Sequence, residues 1–204
     1  MSKLYLYSIF HGNLNYSSIP AEMYEEIIDR CYWPVLDIIK ESNFVSGFEF
    51  PFNTIQKIQK IDPSFLTELK NLVKMKKCEI LCSSQEQVVF PLSPKDLNEL
   101  NLKLGKTNTE NFFNTKTPTA FINEQLFSSG FSPLYKKQGF SNIVTIWEWF
   151  NKNSNLKKSK KYEPSQLSTE NGTMNILWNS FIAFQKFQRY INGEISTKKF
   201  LEYI

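Results

Sequence analysis

Short apolar runs alternate with longer amphipathic stretches along most of this chain, and that alternation restricts its fold more than any other feature. Leu4–Phe10, Phe44–Phe50, Cys78–Leu81, Thr119–Ile122, Ile143–Ile146 and Asn175–Trp178 have strand length and composition. Between them, Ile27, Ile28, Cys31, Tyr32, Val35 and Leu36 recur at helical spacing from about Ala21 onward, as do Phe65, Leu66, Leu69, Leu72 and Val73. Asp62-Pro63 is a helix start, with a capping carboxylate followed by proline at the first helical position. Pro34 should break the first helical segment in two and sit in the first turn of the second. The run from Thr119 should lead into a helix reaching Gln138, closed by a left-handed cap at Gly139. Five to six strand–helix alternations imply a parallel sheet with right-handed crossovers. Periodicity alone does not separate an open sheet from a barrel.

Composition narrows the function classes. A chain of 204 residues, 41% hydrophobic and 15% aromatic, can bury one core, so residues 1–204 read as a single domain. The polar, lysine-rich stretch 151–173, with its Asn171-Gly172 turn, reads as an excursion loop within it. Net charge is +4, and Lys157, Lys158, Lys160 and Lys161 form its one cluster, without the aromatic interleaving or motif of a nucleic-acid site. No run reaches membrane-span length and no signal peptide is legible. Three cysteines, Cys31, Cys78 and Cys82, suit buried reduced thiols. The chain therefore reads as a cytoplasmic protein that engages neither nucleic acid nor membrane. One histidine and few glycines offer neither a metal cluster nor a phosphate loop, so no cofactor and no metal is expected.

The chemistry-bearing residues gather at the ends of the apolar runs: His11, Glu49, Glu79 within its run, Ser84 to Glu86, Glu124, Glu148 and Asn179. The C-terminal ends of parallel strands are where α/β folds place their sites. Glu124 is the leading catalytic candidate, against the bland alternative of a carboxylate favoured by a helix dipole. His11 is either a structural histidine or a ligand contact. Glu79 could line a cleft or pair with Lys76 or Lys77, and Glu49 leans to ligand contact. Trp147 and Trp149 are two apart, so one of them should face inward, and Glu86 and Glu148 read as exposed. A carboxylate-rich mouth with aromatic rings such as Trp147 and Phe127 suits a neutral, hydroxyl-rich ligand, a carbohydrate.

At these residues the sequence resembles glycoside hydrolase family 57. Phe10-His11-Gly12-Asn13 occupies the place of the family's His-Gln-Pro motif. Tyr32-Trp33-Pro34-Val35-Leu36, Gly47-Phe48-Glu49 and Asp62-Pro63 follow its continuation. Cys78-Glu79-Ile80 with Pro91-Leu92 is similar to the second motif, and Ile122-Asn123-Glu124-Gln125-Leu126-Phe127 to the third. The resemblance implies an irregular (β/α)7-type barrel with parallel strands and surrounding helices, a retaining mechanism on α-glucan, and Glu124 as nucleophile. It strengthens a substrate contact at His11, beside which Glu49, Glu79 and Trp147 are the substrate-binding candidates that the strand ends and the aromatic mouth suggest. Two departures stand out: His-Gly-Asn replaces His-Gln-Pro, and Gln125 stands where the family has arginine. The family's acid/base aspartate would lie on a later strand, yet Asp96 is the last aspartate here. The expectation is an incomplete, truncated barrel lacking its last strand or strands, completed by a further segment or a second chain. The alternative is a non-catalytic glycan-binding or assembly protein. A metal-dependent deacetylase, which uses a related barrel, would need two histidines.

Overall fold

The computed structural model of the chain describes residues 7–15, 18–148 and 163–203. Strands β1 (Ser8–His11), β2 (Ser46–Glu49) and β3 (Cys78–Leu81) pair in parallel in that order. A second group runs β4 (Thr119–Phe121), β5 (Asn142–Ile146), β7 (Gly172–Asn179), then β6 (Ser165–Thr169). A parallel bridge between Cys82 and Ala120 joins the groups, with Phe121 N–H donating to Cys82 C=O at 3.0 Å. The result is one sheet, parallel except for β6, which pairs antiparallel with β7. Only the described part, 163–173, of the expected 151–173 loop can be placed. It contains all of β6 and the start of β7, turned at Glu170-Asn171 with Gly172 at φ +108. The lysine cluster at 157–161 and Trp149 lie outside the described residues.

Helices α1 (Tyr24–Ile27), α2 (Trp33–Glu41), α3 (Phe52–Ile61), α4 (Pro63–Lys74), α5 (Lys95–Phe113) and α6 (Ser132–Lys137) cover the outer face, while α7 (Phe181–Ile191) and α8 (Thr197–Leu201) follow β7 and pack on each other through Phe187, Tyr190 and Phe200. Pro34 acts as expected: a π-helical turn, Ile28–Tyr32, absorbs the register change, and proline sits in the first turn of α2. Asp62 caps α4, accepting from Ser64 and Phe65 N–H at 3.0 and 3.3 Å, and also from the Trp33 indole at 2.6 Å. Gly139, at φ +80, closes α6. The expected helix from Ile122 to Gln138 is shorter than its pattern suggested. Strand β4 exits into a tight turn at Asn123–Gln125, and regular helix begins only at Ser132.

Alternation along the strands assigns the two faces. Phe10, Phe48, Cys78 and Ile80 pack outward with Leu36, Ile55, Phe65 and Leu69 of the helices. Ala120, Ile122, Ile143 and Ile176 do the same with Leu134, Tyr135 and Phe140. The opposite parity, including His11, Glu49 and Phe121, faces the concave side. Strands three places apart in a flat sheet lie about 14 Å from each other. Yet the His11 ring of β1 stacks on Phe121 of β4 with centroids 5.7 Å apart, so the sheet curls into a barrel-like trough. Cys78 and Cys82 are buried, and burial pushes each thiol up to about 12. Cys31, expected to be buried, is exposed. Among the described residues no helix is long and apolar enough to cross a membrane.

The segment 83–92, after β3, is held by α3 and α5. Phe52 and Asn53 N–H donate to Ser84 and Gln85 C=O at 3.0 Å each. Gln85 N–H donates to Asn101 C=O at 3.0 Å, and the Asn101 amide brackets Glu86, accepting from its N–H at 2.8 Å and donating to its C=O at 2.9 Å. Gly105 makes this grip possible, since a Cβ there would lie 2.1 Å from the Ser84 carbonyl carbon. Gly105→Ala should therefore destabilise the protein by at least the 1–3 kcal/mol that overpacking typically costs, about, despite alanine's better helix propensity. Urea unfolding measures it, and an unchanged midpoint would contradict the contact.

Candidate active site

At the C-terminal ends of β1, β2 and β4 the concave face carries a compact polar group. Glu49 closes β2 with none of its side chain open to solvent. A carboxylate so placed must find charge or hydrogen-bond partners in full. One oxygen meets His11 Nδ1 and the other accepts from Ser83 Oγ. His11 is paired opposite Glu49 in the β1–β2 register, so strand pairing alone brings the two together. A third of the His11 side chain faces solvent in the trough. Burial alone would push its imidazole down, but the Glu49 charge and hydrogen bond outweigh it and raise the pKa above 6.5. The nearby Glu124 charge acts in the same direction.

Glu124 stands at the tip beyond β4 and is exposed to the trough. Its backbone is left-handed, φ +53 and ψ +14, and Gln125 follows at φ +55. Consecutive non-glycine residues in this region cost about 1–2 kcal/mol each. Anchors on both sides hold the turn. Buried Asn123 donates to Ser84 Oγ at 2.9 Å and Val88 C=O at 3.1 Å. The Gln125 amide donates to Ile122 C=O and accepts from Asn179, at the end of β7, both at 2.9 Å. Gln125 thus ties the tip of β4 to the tip of β7 from the position where the family resemblance implied an arginine. Gln87 completes the group by donating its side-chain N–H to Glu124 Oε1.

Among the five residues singled out from the sequence, His11, Glu49 and Glu124 come together. Glu79 does not. It lies two residues below Leu81 on β3, near the opposite end of the trough, where it accepts from Tyr7 OH at 2.9 Å. Glycine at Gly47 lets the Tyr7 ring cross β2, because a Cβ would lie 2.7 Å from the Tyr7 hydroxyl. Neither Lys76 nor Lys77 makes the pairing considered for Glu79: Lys77 donates instead to Lys40 C=O at 2.5 Å. Trp147 follows β5 and is buried, edge-on to Trp178 with centroids 5.0 Å apart. Trp178 itself packs against the outer-face cluster of Ile143 and Ile176, so Trp147 is no open stacking platform. Glu86 and Glu148 are half-buried rather than exposed. Glu86 accepts from Asn53, and Glu148 accepts the first N–H of α7, from Phe181, at 3.1 Å. Sequence reasoning passed over Ser83 and Gln87, which neither titrate near neutrality nor end a strand. Among the described residues no cluster of His, Cys, Asp or Glu could hold a metal ion.

Two outcomes follow from this geometry. In an NMR titration His11 should lose its proton above pH 6.5, and Glu49→Gln should bring that value down. Because the folded value is the raised one, the pair's stabilisation is complete below the ordinary imidazole range and fades as pH rises through the folded value. Titration at or below 6.5 would refute the ion pair. Replacement of Glu124 by glycine rather than alanine isolates the backbone strain. Glu124→Gly should be more stable than Glu124→Ala by about 1 kcal/mol in chemical denaturation, the reverse of the order in ordinary helix.

Comparison with known proteins agrees with this architecture. The family model for "Glycosyl hydrolase family 57" matches residues 9–192. Among solved structures the chain is similar to a 4-α-glucanotransferase from Thermococcus litoralis, with TM-score 0.78 and 17% identity over 97% of this chain and 30% of that one. It is also similar to the α-amylase AmyC from Thermotoga maritima, with TM-score 0.66 and 14% identity over 87% of this chain and 46% of that one. A GH57-type branching enzyme from Pyrococcus horikoshii gives TM-score 0.65 and 13% identity over 88% of this chain and 47% of that one. The chain thus spans less than half the length of each of these three. A search of curated proteins by sequence found no match. On the family match, which takes in every strand from β2 to β7 and most of β1, the chain belongs to glycosyl hydrolase family 57.

Proposed function

We propose that this chain forms the β1–β7 part of a retaining α-glucan-active barrel, with Glu124 as the nucleophile and His11 and Glu49 lining the sugar site. The observation that carries the reading is the convergence of Glu124, His11 and Glu49 at one end of the curled sheet. Glu124 would attack the anomeric carbon and expel the leaving oxygen, forming a glycosyl-enzyme that water or an acceptor sugar then opens. Such a step uses a second, protonated carboxyl about 5–5.5 Å from the nucleophile. The three similar structures are, by name, a glucanotransferase, an amylase and a branching enzyme, which supports α-glucan as the substrate class. His11, part-exposed in the trough, is suited to donate to a sugar hydroxyl. Glu79 and Trp147 would contribute support below the site rather than direct contact. Residues 1–204 would act as one domain, completed by a further segment or second chain that brings the acid. Buried, unbridged Cys78 and Cys82 fit a reducing compartment such as the cytoplasm.

A second reading, a glycan-binding or assembly protein without turnover, is favoured by one specific observation. All four aspartates lie on helices or at a helix cap: Asp29 in the π-turn, Asp37 in α2, Asp62 before α4 and Asp96 in α5. None closes a strand. Loss of general acid catalysis typically costs about 10²–10⁴-fold, but a good leaving group needs little protonation.

An aryl α-glucoside with an activated leaving group therefore separates the two readings. Turnover by the unmutated chain, abolished by Glu124→Gln with the fold intact, is the outcome for a nucleophile. No turnover, together with maltooligosaccharide binding by calorimetry, would establish the binding protein instead. Neither turnover nor binding would refute both.

A further inference from the structure

Gln87 belongs to no strand, matches no motif and carries no charge, yet it is the residue whose side chain reaches Glu124. We infer that Gln87 is a positioning residue that holds the Glu124 carboxylate by a donor whose direction is dictated from the β1 exit. This inference rests on the reading of Glu124 as the carboxylate that acts on the glycan.

The oxygen and nitrogen of an asparagine or glutamine side chain are interchangeable in shape, so which one faces a partner must follow from the hydrogen-bond network. Here the network starts at groups that can only donate. Asn15 N–H donates to Asn13 Oδ1 at 2.9 Å. Leu14 N–H donates to Thr54 Oγ1 at 3.2 Å, which leaves the Thr54 hydroxyl proton for Asn13 Oδ1, 3.3 Å away. Both routes fix the Asn13 oxygen as acceptor, so its nitrogen points at Gln87 and meets the Gln87 oxygen. The Gln87 nitrogen is then the end left for Glu124 Oε1. Two backbone N–H groups near β1, together with the His11 ring that also hydrogen-bonds the Gln87 side chain, thereby determine that Glu124 receives a proton donor rather than a second acceptor.

The backbone leaves Gln87 little choice of position. Glu86, before it, is bracketed by the Asn101 amide, and Val88, after it, is held through its carbonyl by Asn123. Asn123 is the residue preceding Glu124, so the turn bearing the carboxylate and the segment bearing its donor are clamped to each other twice. The contact holds the carboxylate in the conformation that its left-handed backbone presents to the trough. A neutral donor keeps the oxygen acceptor-bound without cancelling its charge, as a nucleophile requires.

Side-chain amide NMR of the ¹⁵N-labelled full chain tests this without needing turnover. One Gln87 Nε2 proton, assigned by its disappearance in Gln87→Met, should resonate downfield of free side-chain amides, as a donor to a carboxylate does. It should return to their range in Glu124→Ala and, in smaller measure, in the shape-preserving Glu124→Gln. Asn13→Ala, at a residue that does not touch Glu124, should reduce the downfield shift, because the Gln87 oxygen then keeps only its His11 contact. A signal indifferent to both Glu124 variants would overturn the positioning contact, and one indifferent to Asn13→Ala would overturn the direction set through Asn13. Covalent trapping of Glu124 by a fluorinated α-glucosyl fluoride reports separately on the nucleophile reading. Where trapping occurs, Gln87→Met should slow it by about tenfold to 10²-fold with glycan binding little changed. No adduct beside an intact downfield amide would refute the nucleophile reading and leave the contact standing, whereas an undiminished rate in Gln87→Met would overturn the positioning role.

Discussion

A carboxylate without solvent at the end of β2 governs the geometry of the whole mouth. Taking Glu49 out of water is tolerable only because His11 and Ser83 meet its two oxygens. Those partners come from the ends of β1 and β3, so the charge fastens three strand tips at one level. The stack of His11 on Phe121 then carries the curl across to β4. The raised imidazole pKa descends from that buried charge, and strand register keeps the pair together. Glu124 is held separately, by the anchors of Asn123 and Gln125 on either side of it.

Strand positions were readable because each strand has apolar residues on the outer face and is bounded by turn chemistry. The runs at Cys78, Thr119, Ile143 and Asn175 all correspond to strands with ends shifted by at most a few residues. The long helix α5 was not readable, and the reason is physical. Its buried face carries Asn98, Asn101, Gly105 and Thr109 beside Leu102 and Phe113, while Leu97, Leu100 and Leu104 face outward. The apolar stripe is interrupted because this helix grips a polar loop by hydrogen bonds and close backbone approach. Strand β6 escaped for a related reason. It is polar, and it owes its pairing to β7 rather than to burial.

The site was legible to the extent that charge and motif mark it. His11, Glu49 and Glu124 stood out as titratable groups at strand ends and do converge. Glu79 stood out equally, but a strand has two ends of side-chain traffic on the same face, and position along β3 put it with Tyr7 instead. Gln87 could not stand out, because its role depends on an amide direction set by Asn15 and Leu14 N–H groups that no spacing encodes. Strain and polar burial gather in the same place. Left-handed backbone at Glu124 and Gln125 and the buried Asn123 would each be avoided in a protein built for stability alone. Their concentration at the tip of β4 is the pattern expected where chemistry or recognition outweighs stability.

The proposed function has an α-glucan seated at the concave end of the curled sheet around Glu124, with or without turnover. Titration of the labelled protein with maltoheptaose, read as shifts of assigned NMR signals, probes that seat. Saturable shifts should concentrate at His11, Gln87 and Glu124, with Glu79 and Tyr7 at the far end of the trough little affected. Saturable shifts centred elsewhere, or none at these three residues at any attainable sugar concentration, would contradict it.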